Sequence, residues 1–155
     1  MALGGVLVKS RSEVFYSTKS GNTQKIAEAI AECMGTQALN VSGVGEGHSL
    51  SKCDLLFVGS GSYGSAPSAE MAAFIRGLGN SEGRHAAVFG TSGGGREDYL
   101  KKMKALLEGR GLKVIGMWGC LGQEYSLKNK GKPDDKDLKD AAGFAKKMLM
   151  KIEII

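Results

Sequence analysis

The segment Asp54-Leu55-Leu56-Phe57-Val58-Gly59 is an apolar run between an acid and a glycine. It shows no alternation of polar and apolar residues, which is the pattern of a strand buried on both faces. Such a strand needs a layer above it and a layer below it, and in a parallel sheet those layers are helices. The rest of the chain supplies both strands and helices in a regular order. Glu13-Val14-Phe15-Tyr16-Ser17 reads as a first strand, and Asn22 to Met34 as a helix with Ile26, Ile30, Cys33 and Met34 on one stripe. Ala38 to Val44 is a weak second strand, and the apolar run at Asp54 is the third. A helix from Pro67 to Leu78 follows, with Pro in the first turn, where a missing N–H costs nothing.

His85 to Gly90 makes a fourth strand, Glu97 to Glu108 a helix, and Leu112 to Met117 a fifth strand. The last helix runs from Pro133 to Met150, with acids at its start and Lys146 and Lys147 near its end, as the helix dipole favours. Glu124 to Pro133 is a polar loop, and Gly5 to Arg11 fits no element. Five β-α units joined by right-handed crossovers give an α/β three-layer sandwich, a parallel sheet with helices on both faces. The 155 residues fit a single domain, 1–155, with one core. Ligands of such sheets bind beyond the carboxyl ends of the strands, where the strand order reverses. The loops after strands one, three and four therefore carry the functional information.

Glycine is the anomaly in the composition, at 24 residues. That is about twice ordinary usage, and the glycines cluster where strands end. No apolar run approaches the length of a membrane span, and no basic flank precedes the apolar start of the chain, so neither a membrane nor a signal peptide is expected. Cys33, Cys53 and Cys120 are odd in number and widely spaced, which forms neither a disulfide framework nor a metal motif. A cytoplasmic setting follows as the expectation.

The net charge of +5 is unevenly spread: residues 1–100 hold 8 Lys and Arg against 9 Asp and Glu, and residues 101–155 hold 13 against 7. This is either a docking surface for an acidic partner or a set of lysines on the solvent faces of two helices. Nucleic-acid binding is not expected, because the basic residues are not interleaved with aromatics and no binding motif is present.

The loop after strand one is Ser17-Thr18-Lys19-Ser20-Gly21-Asn22-Thr23, and a helix starts at once. The first N–H groups of a helix have no intrahelical partner, and together with the dipole they favour an anion, typically a phosphate. One hydroxyl would explain a helix cap. Four hydroxyls in seven residues, with a glycine that lets the backbone curl, point instead to phosphate. A nucleotide P-loop is excluded, since Gly-x-x-x-x-Gly-Lys-Ser/Thr follows no strand here.

Gly59, Gly61 and Gly64 after strand three match the dinucleotide pattern Gly-x-Gly-x-x-Gly, but the following strand ends in Phe89-Gly90-Thr91-Ser92, without the acid that holds a ribose. Gly90-Thr91-Ser92-Gly93-Gly94 matches a hydrolase nucleophile elbow, yet His48 and His85 both precede Ser92, and that chemistry needs an acid and a histidine after it. A response-regulator domain needs acids after strand one and an Asp ending strand three, and neither is present.

Thr18-x-Ser20-Gly21-Asn22-Thr23 after a strand resembles the phosphate-binding motif of the flavodoxin family, Ser/Thr-x-Ser/Thr-Gly-x-Thr. The segment Gly131-Lys132-Pro133-Asp134-Asp135-x-Asp137-Leu138 is also similar to members of that wider family, and the likeness runs along nearly the whole chain. The resemblance implies a flavodoxin-like sheet of order 2-1-3-4-5 and flavin mononucleotide (FMN) as cofactor. It implies that Thr18, Ser20 and Thr23 donate hydroxyls to the 5′-phosphate while the backbone of Gly21 and Asn22 wraps it. Lys19, at a variable position, either adds charge attraction or points to water.

Carried over in the same way, Ser60, Gly61, Ser62, Tyr63 and Gly64 lie along the flavin ring, with Tyr63 stacking on it and Gly64 next to a peptide that reorients on reduction. Thr91, Ser92, Gly93, Gly94 and Gly95 meet the pyrimidine end of the ring. No catalytic residue and no metal is implied. Two departures stand out. The chain is basic where many flavodoxins are strongly acidic, and the loop after strand four lacks the second aromatic that covers the outer flavin face, leaving Tyr99, Trp118 and Tyr125 as candidates for it.

The expected function is electron transfer between redox partner proteins, acidic ones fitting the basic surface, by a monomer or weak dimer. An FMN-dependent NAD(P)H or quinone reductase using an open flavin face is the enzymatic alternative, and a regulatory domain without flavin is a third reading. Cys120 is read either as a thiol near the flavin or as a buried inert one; Cys33 and Cys53 read as structural.

Overall fold

A computed structural model describes residues 11–124 and 126–153. Of the segment Gly5 to Arg11, only Arg11 falls among them. In chain order the elements are β1 (Ser12–Tyr16), α1 (Asn22–Met34), β2 (Ala38–Asn40), a 3-10 turn (Val41–Gly43), β3 (Leu55–Gly61), α2 (Ala69–Arg76), β4 (His85–Ser92), α3 (Asp98–Glu108), β5 (Lys113–Leu121) and α4 (Asp135–Glu153). The strands form one sheet in the order β2-β1-β3-β4-β5, and every pairing is parallel. Helices cover both faces, which makes the three-layer α/β arrangement that the pattern of runs requires.

The non-alternating run earns its burial at the centre of the sheet. All seven residues of β3 are buried. Leu56 and Val58 face one cluster with Met71 and Ile75 of α2 and Leu100, Met103 and Leu107 of α3. Leu55 and Phe57 face the other, with Ile26 and Ile30 of α1 and Ala141, Ala145 and Met148 of α4. Each large side chain so buried contributes about 1.5–3 kcal/mol. Alternate residues of one strand thus hold two helical layers to the sheet.

Several boundaries differ from the sequence pattern, each for a physical reason. The second strand stops at Asn40, because the Asn40 side chain accepts the N–H of Ser42 and turns the chain into the 3-10 segment. The second helix begins at Ala69 rather than Pro67: Ser68 is its N-cap and accepts the N–H of Met71, which places Pro67 before the cap. Strands β3, β4 and β5 run on to Gly61, Ser92 and Leu121, because β4 pairs with both neighbours through these ends: Gly61 lies opposite Thr91 and Leu121 opposite Ser92. Close packing is what lets them do so. A Cβ on Gly59 would collide with the Phe89 ring, and one on Gly90 with the Ser60 carbonyl and the Tyr99 ring.

Candidate functional site

The strand order reverses between β1 and β3, since β1 leads out to β2 on one side and the chain then returns to β3 on the other. At the carboxyl end of this switch lies a cleft of about 420 Å³, within the range of small-molecule sites. Four loops wall it. The β1–α1 loop gives Thr18, Lys19 and Ser20, and the start of α1 gives Asn22 and Thr23. Gly61, Ser62 and Tyr63 come from the β3–α2 side, and Thr91, Ser92 and Gly93 from the end of β4 and the loop after it. Gly122, Gln123, Glu124 and Ser126 close it from the β5–α4 loop.

The β1–α1 loop is held open by its own bonds. Gly21 is the N-cap of α1, in the left-handed conformation at φ 91°, and no side chain caps the helix. A Cβ there would meet no atom within 4 Å, so the glycine is needed for the backbone angle and not for space. The Thr18 hydroxyl oxygen accepts the Gly21 N–H at 2.9 Å and closes the loop below the helix end. The Thr23 hydroxyl lies 2.9 Å from that of Thr91, joining the helix start to the end of β4. The first N–H groups of α1 thus open toward the cleft without a side-chain cap, which is the anion-binding geometry of a helix N-terminus.

Ser17 behaves differently. It is buried, with its Oγ 2.6 Å from that of Ser68 and 3.4 Å from that of Ser60, so it braces the loops from below. Ser60 is also buried, accepting the Ser68 N–H and donating to the Gly61 carbonyl. Of the residues the flavodoxin resemblance assigns to a ligand, the cleft walls bring together Thr18, Lys19, Ser20, Asn22, Thr23, Gly61, Ser62, Tyr63, Thr91, Ser92 and Gly93. Gly21, Ser60, Gly64, Gly94 and Gly95 stand behind or beside those walls, and the Gly95 N–H bonds to the Ser92 hydroxyl.

Tyr63 opens a tight turn, exchanging backbone hydrogen bonds of 2.7 and 3.2 Å with Ala66. Both corners have positive φ, 59° at Gly64 and 66° at Ser65. The glycine takes this angle freely; the serine is strained there. The Lys19 ammonium sits 4.7 Å from the centroid of the Tyr63 ring, so it points at the aromatic face and not simply to water.

The fourth wall is the part the sequence does not reveal. Asn22 donates its side-chain amide to the Gln123 carbonyl, and Asn129 donates to the carbonyls of Gly93 and Gly122. These bonds fold the polar segment after β5 over the cleft. A Cβ on Gly93 would run into the Glu124 carboxylate, so the glycine admits that side chain. The available signal was the position of Gly119 to Gly122 at a strand end, the same kind of signal that marks the other three loops.

Of the aromatics named for the outer face, Tyr99 is buried in the core against Gly90 and Gly119, and Trp118 packs on the cluster shared with α1 and α4. Tyr125 lies outside the described residues. Burial pushes the Cys120 thiol up to about 12, with the charge of Asp137 adding to the effect. Cys120 therefore stays a protonated thiol at neutral pH. Among the described residues, no group of His, Cys, Asp and Glu is arranged to hold a metal ion, and no helix is long and apolar enough to cross a membrane. Of the basic residues after position 100, eight lie on α3 and α4.

Residues 13–130 match the flavodoxin domain family. The chain belongs to that family. Its relatives among known proteins include an uncharacterised protein of Methanocaldococcus jannaschii, 26% identical over 145 residues, covering 88% of this chain and 95% of the other. The flavodoxin fold is shared with a solved flavodoxin from the domain Archaea, at TM-score 0.70 and 21% identity over 92% of this chain and 99% of that one. Oxidised flavodoxin 1 from Bacillus cereus aligns at TM-score 0.70 and 20% identity, covering 92% of this chain and 98% of its own. In this flavodoxin-domain protein, the cleft falls at the strand-order switch where doubly wound sheets bind their ligands.

Proposed function

We propose that the chain binds FMN in the cleft and uses it to pass electrons between redox partners. One observation carries this reading: the N-terminus of α1 opens, with no side-chain cap, into a cleft ringed by Thr18, Ser20 and Thr23. The residues fit the cofactor by the chemistry of their donors. A helix end, short hydroxyls and a left-handed glycine suit a dianionic phosphate. Tyr63 and the glycine-bearing ends of β3 and β4 suit a flat ring lying close to backbone.

Bound FMN supplies the electron-accepting group, while the chain's residues hold it, shape access to it and set the field around it. Lys19, Lys128 and Lys130 are exposed on the loops of that end. Reduction adds negative charge to a flavin, and a net positive chain favours that added charge. The reading therefore expects a higher potential for the low couple than in strongly acidic relatives.

The test is the visible spectrum of purified protein before and after addition of FMN and then dithionite. A flavin spectrum that binding perturbs and dithionite bleaches supports the proposal. Protein that leaves the FMN spectrum and fluorescence unchanged overturns it. NAD(P)H oxidation with a quinone acceptor separates carrier from reductase: a carrier shows almost none.

A further inference from the structure

Lys19 stands in the loop that enters α1, between Thr18 and Ser20. Its ammonium nevertheless lies over the ring of Tyr63, which belongs to a different loop, at 4.7 Å from the ring centroid. That is cation–π distance. Both side chains line the cleft. The phenol also lies back across the sheet end, since a Cβ on Gly61 would come within 2.9 Å of its oxygen. The cleft's aromatic face is covered by the cleft's own cation.

A flat ring cannot stack on a face that an ammonium covers, so its entry displaces Lys19. The displaced ammonium needs a new partner or returns to water. A phosphate seated at the start of α1 supplies one within the same loop, because Lys19 is two residues from Gly21. A ring without phosphate supplies none. We infer that Lys19 couples the two halves of the cleft, leaving the Tyr63 ring for the phosphate, and so selects FMN over riboflavin. The inference rests on the flavin reading of the cleft.

Titration of cofactor-free wild type, Lys19→Ala and Lys19→Arg with FMN and with riboflavin tests it, with flavin fluorescence as the readout. In Lys19→Ala, riboflavin should bind about two- to five-fold tighter, the equivalent of one exposed cation–π contact removed. FMN gains the same release of the ring but loses the cation beside its phosphate, so its affinity should change little and the preference for FMN should narrow by about two- to five-fold. Lys19→Arg keeps a cation over the ring and near the phosphate, one that stacks and binds phosphate at least as well, and should keep a preference for FMN no smaller than that of wild type.

A second readout is independent of binding strength. In the cofactor-free protein, the ε-methylene protons of Lys19 should show an aromatic ring-current shift that Tyr63→Leu abolishes and FMN changes. If Lys19→Ala leaves both affinities unchanged, or moves both by the same factor, or if the ring-current shift is missing, the coupling is overturned and the flavin reading stands. If wild type binds neither ligand, both fall. Urea unfolding of each variant shows whether a lost affinity is a lost fold.

Discussion

Helices α1 and α4 both begin at the carboxyl end of the sheet, and their first turns are built in opposite ways. At α4, Asp134 accepts the N–H of Asp137, and Asp137 accepts the N–H of Asp134, at 3.0 and 2.9 Å. The Lys132 ammonium bridges both carboxylates at 3.0 Å. Carboxylates at the end of the helix dipole do the work of an anion, so that terminus is saturated from within. At α1 the cap is a glycine, no acid stands in the first turn, and the nearby Thr18 hydroxyl closes the loop rather than the helix. Of two helix starts with the same physical need, the chain thus meets one with its own carboxylates and leaves the other without a side-chain cap. On the proposed reading, the α4 terminus is structural and the α1 terminus is the phosphate site.

The largest expected effect comes from stripping the open terminus. The double variant Thr18→Ala, Ser20→Ala removes two hydroxyls placed to donate to a phosphate, each hydrogen bond to a charged group being worth about 1.5–3 kcal/mol. Its affinity for FMN should fall by about 100-fold or more, measured by fluorescence titration, while its stability in urea falls by only about 1 kcal/mol, the loop bond from the Gly21 N–H to Thr18. A large loss of stability with unchanged affinity would make the two termini alike.

The saturated terminus should answer in the opposite currency. Asp137→Ala removes a cap acceptor and a partner of Lys132 at a buried position. It should cost about 1–2 kcal/mol in urea unfolding and leave FMN affinity within about twofold. A loss of FMN affinity greater than that would place α4 in the site.

A smaller effect, of the opposite sign, is expected at the Tyr63 turn. Ser65 holds φ at 66°, and Ser65→Gly relieves that strain. The extra freedom glycine gives the unfolded chain offsets part of the gain, so stability should rise by up to about 1 kcal/mol. A destabilised variant would show that the serine side chain contributes more than its backbone angle costs.

The smallest effect is a change in acid sensitivity. The Asp137 N–H, then the Lys132 ammonium, hold the Asp134 carboxyl down at about 2. A depressed folded value means that the contribution to stability is complete above the ordinary Asp value near 4 and is lost as pH falls toward 2. Asp134→Asn should therefore be less stable than wild type at neutral pH and lose less stability across that window. Parallel unfolding curves for the two proteins from pH 5 to pH 2 would contradict the assignment.

The fold was legible because its signals are local and redundant. The unbroken apolar run of β3, the stripe Ile26–Ile30 on α1 and the glycines at strand ends each point to the same buried parallel sheet. Three walls of the cleft were legible for the same reason, since hydroxyls and glycines sit next to strand ends in the sequence. The fourth wall was not. Gln123, Glu124 and Ser126 look like an ordinary polar loop, and only the long-range bonds from Asn22 to Gln123 and from Asn129 to Gly93 bring that loop over the site. The start of α2 was misplaced because Pro67 and Ser68 are both good helix-start residues, and the choice between them depended on the Met71 N–H reaching Ser68.

Amide spectra of the 15N-labelled protein, recorded through a titration with FMN, address the open terminus directly. The account predicts that Ser20, Gly21, Asn22, Thr23 and Gln24 shift most, together with residues around Tyr63 and Ser92, while Asp135 to Leu138 at the start of α4 stay in place. Shifts centred elsewhere, with the amides that begin α1 unmoved at saturating FMN, would contradict it.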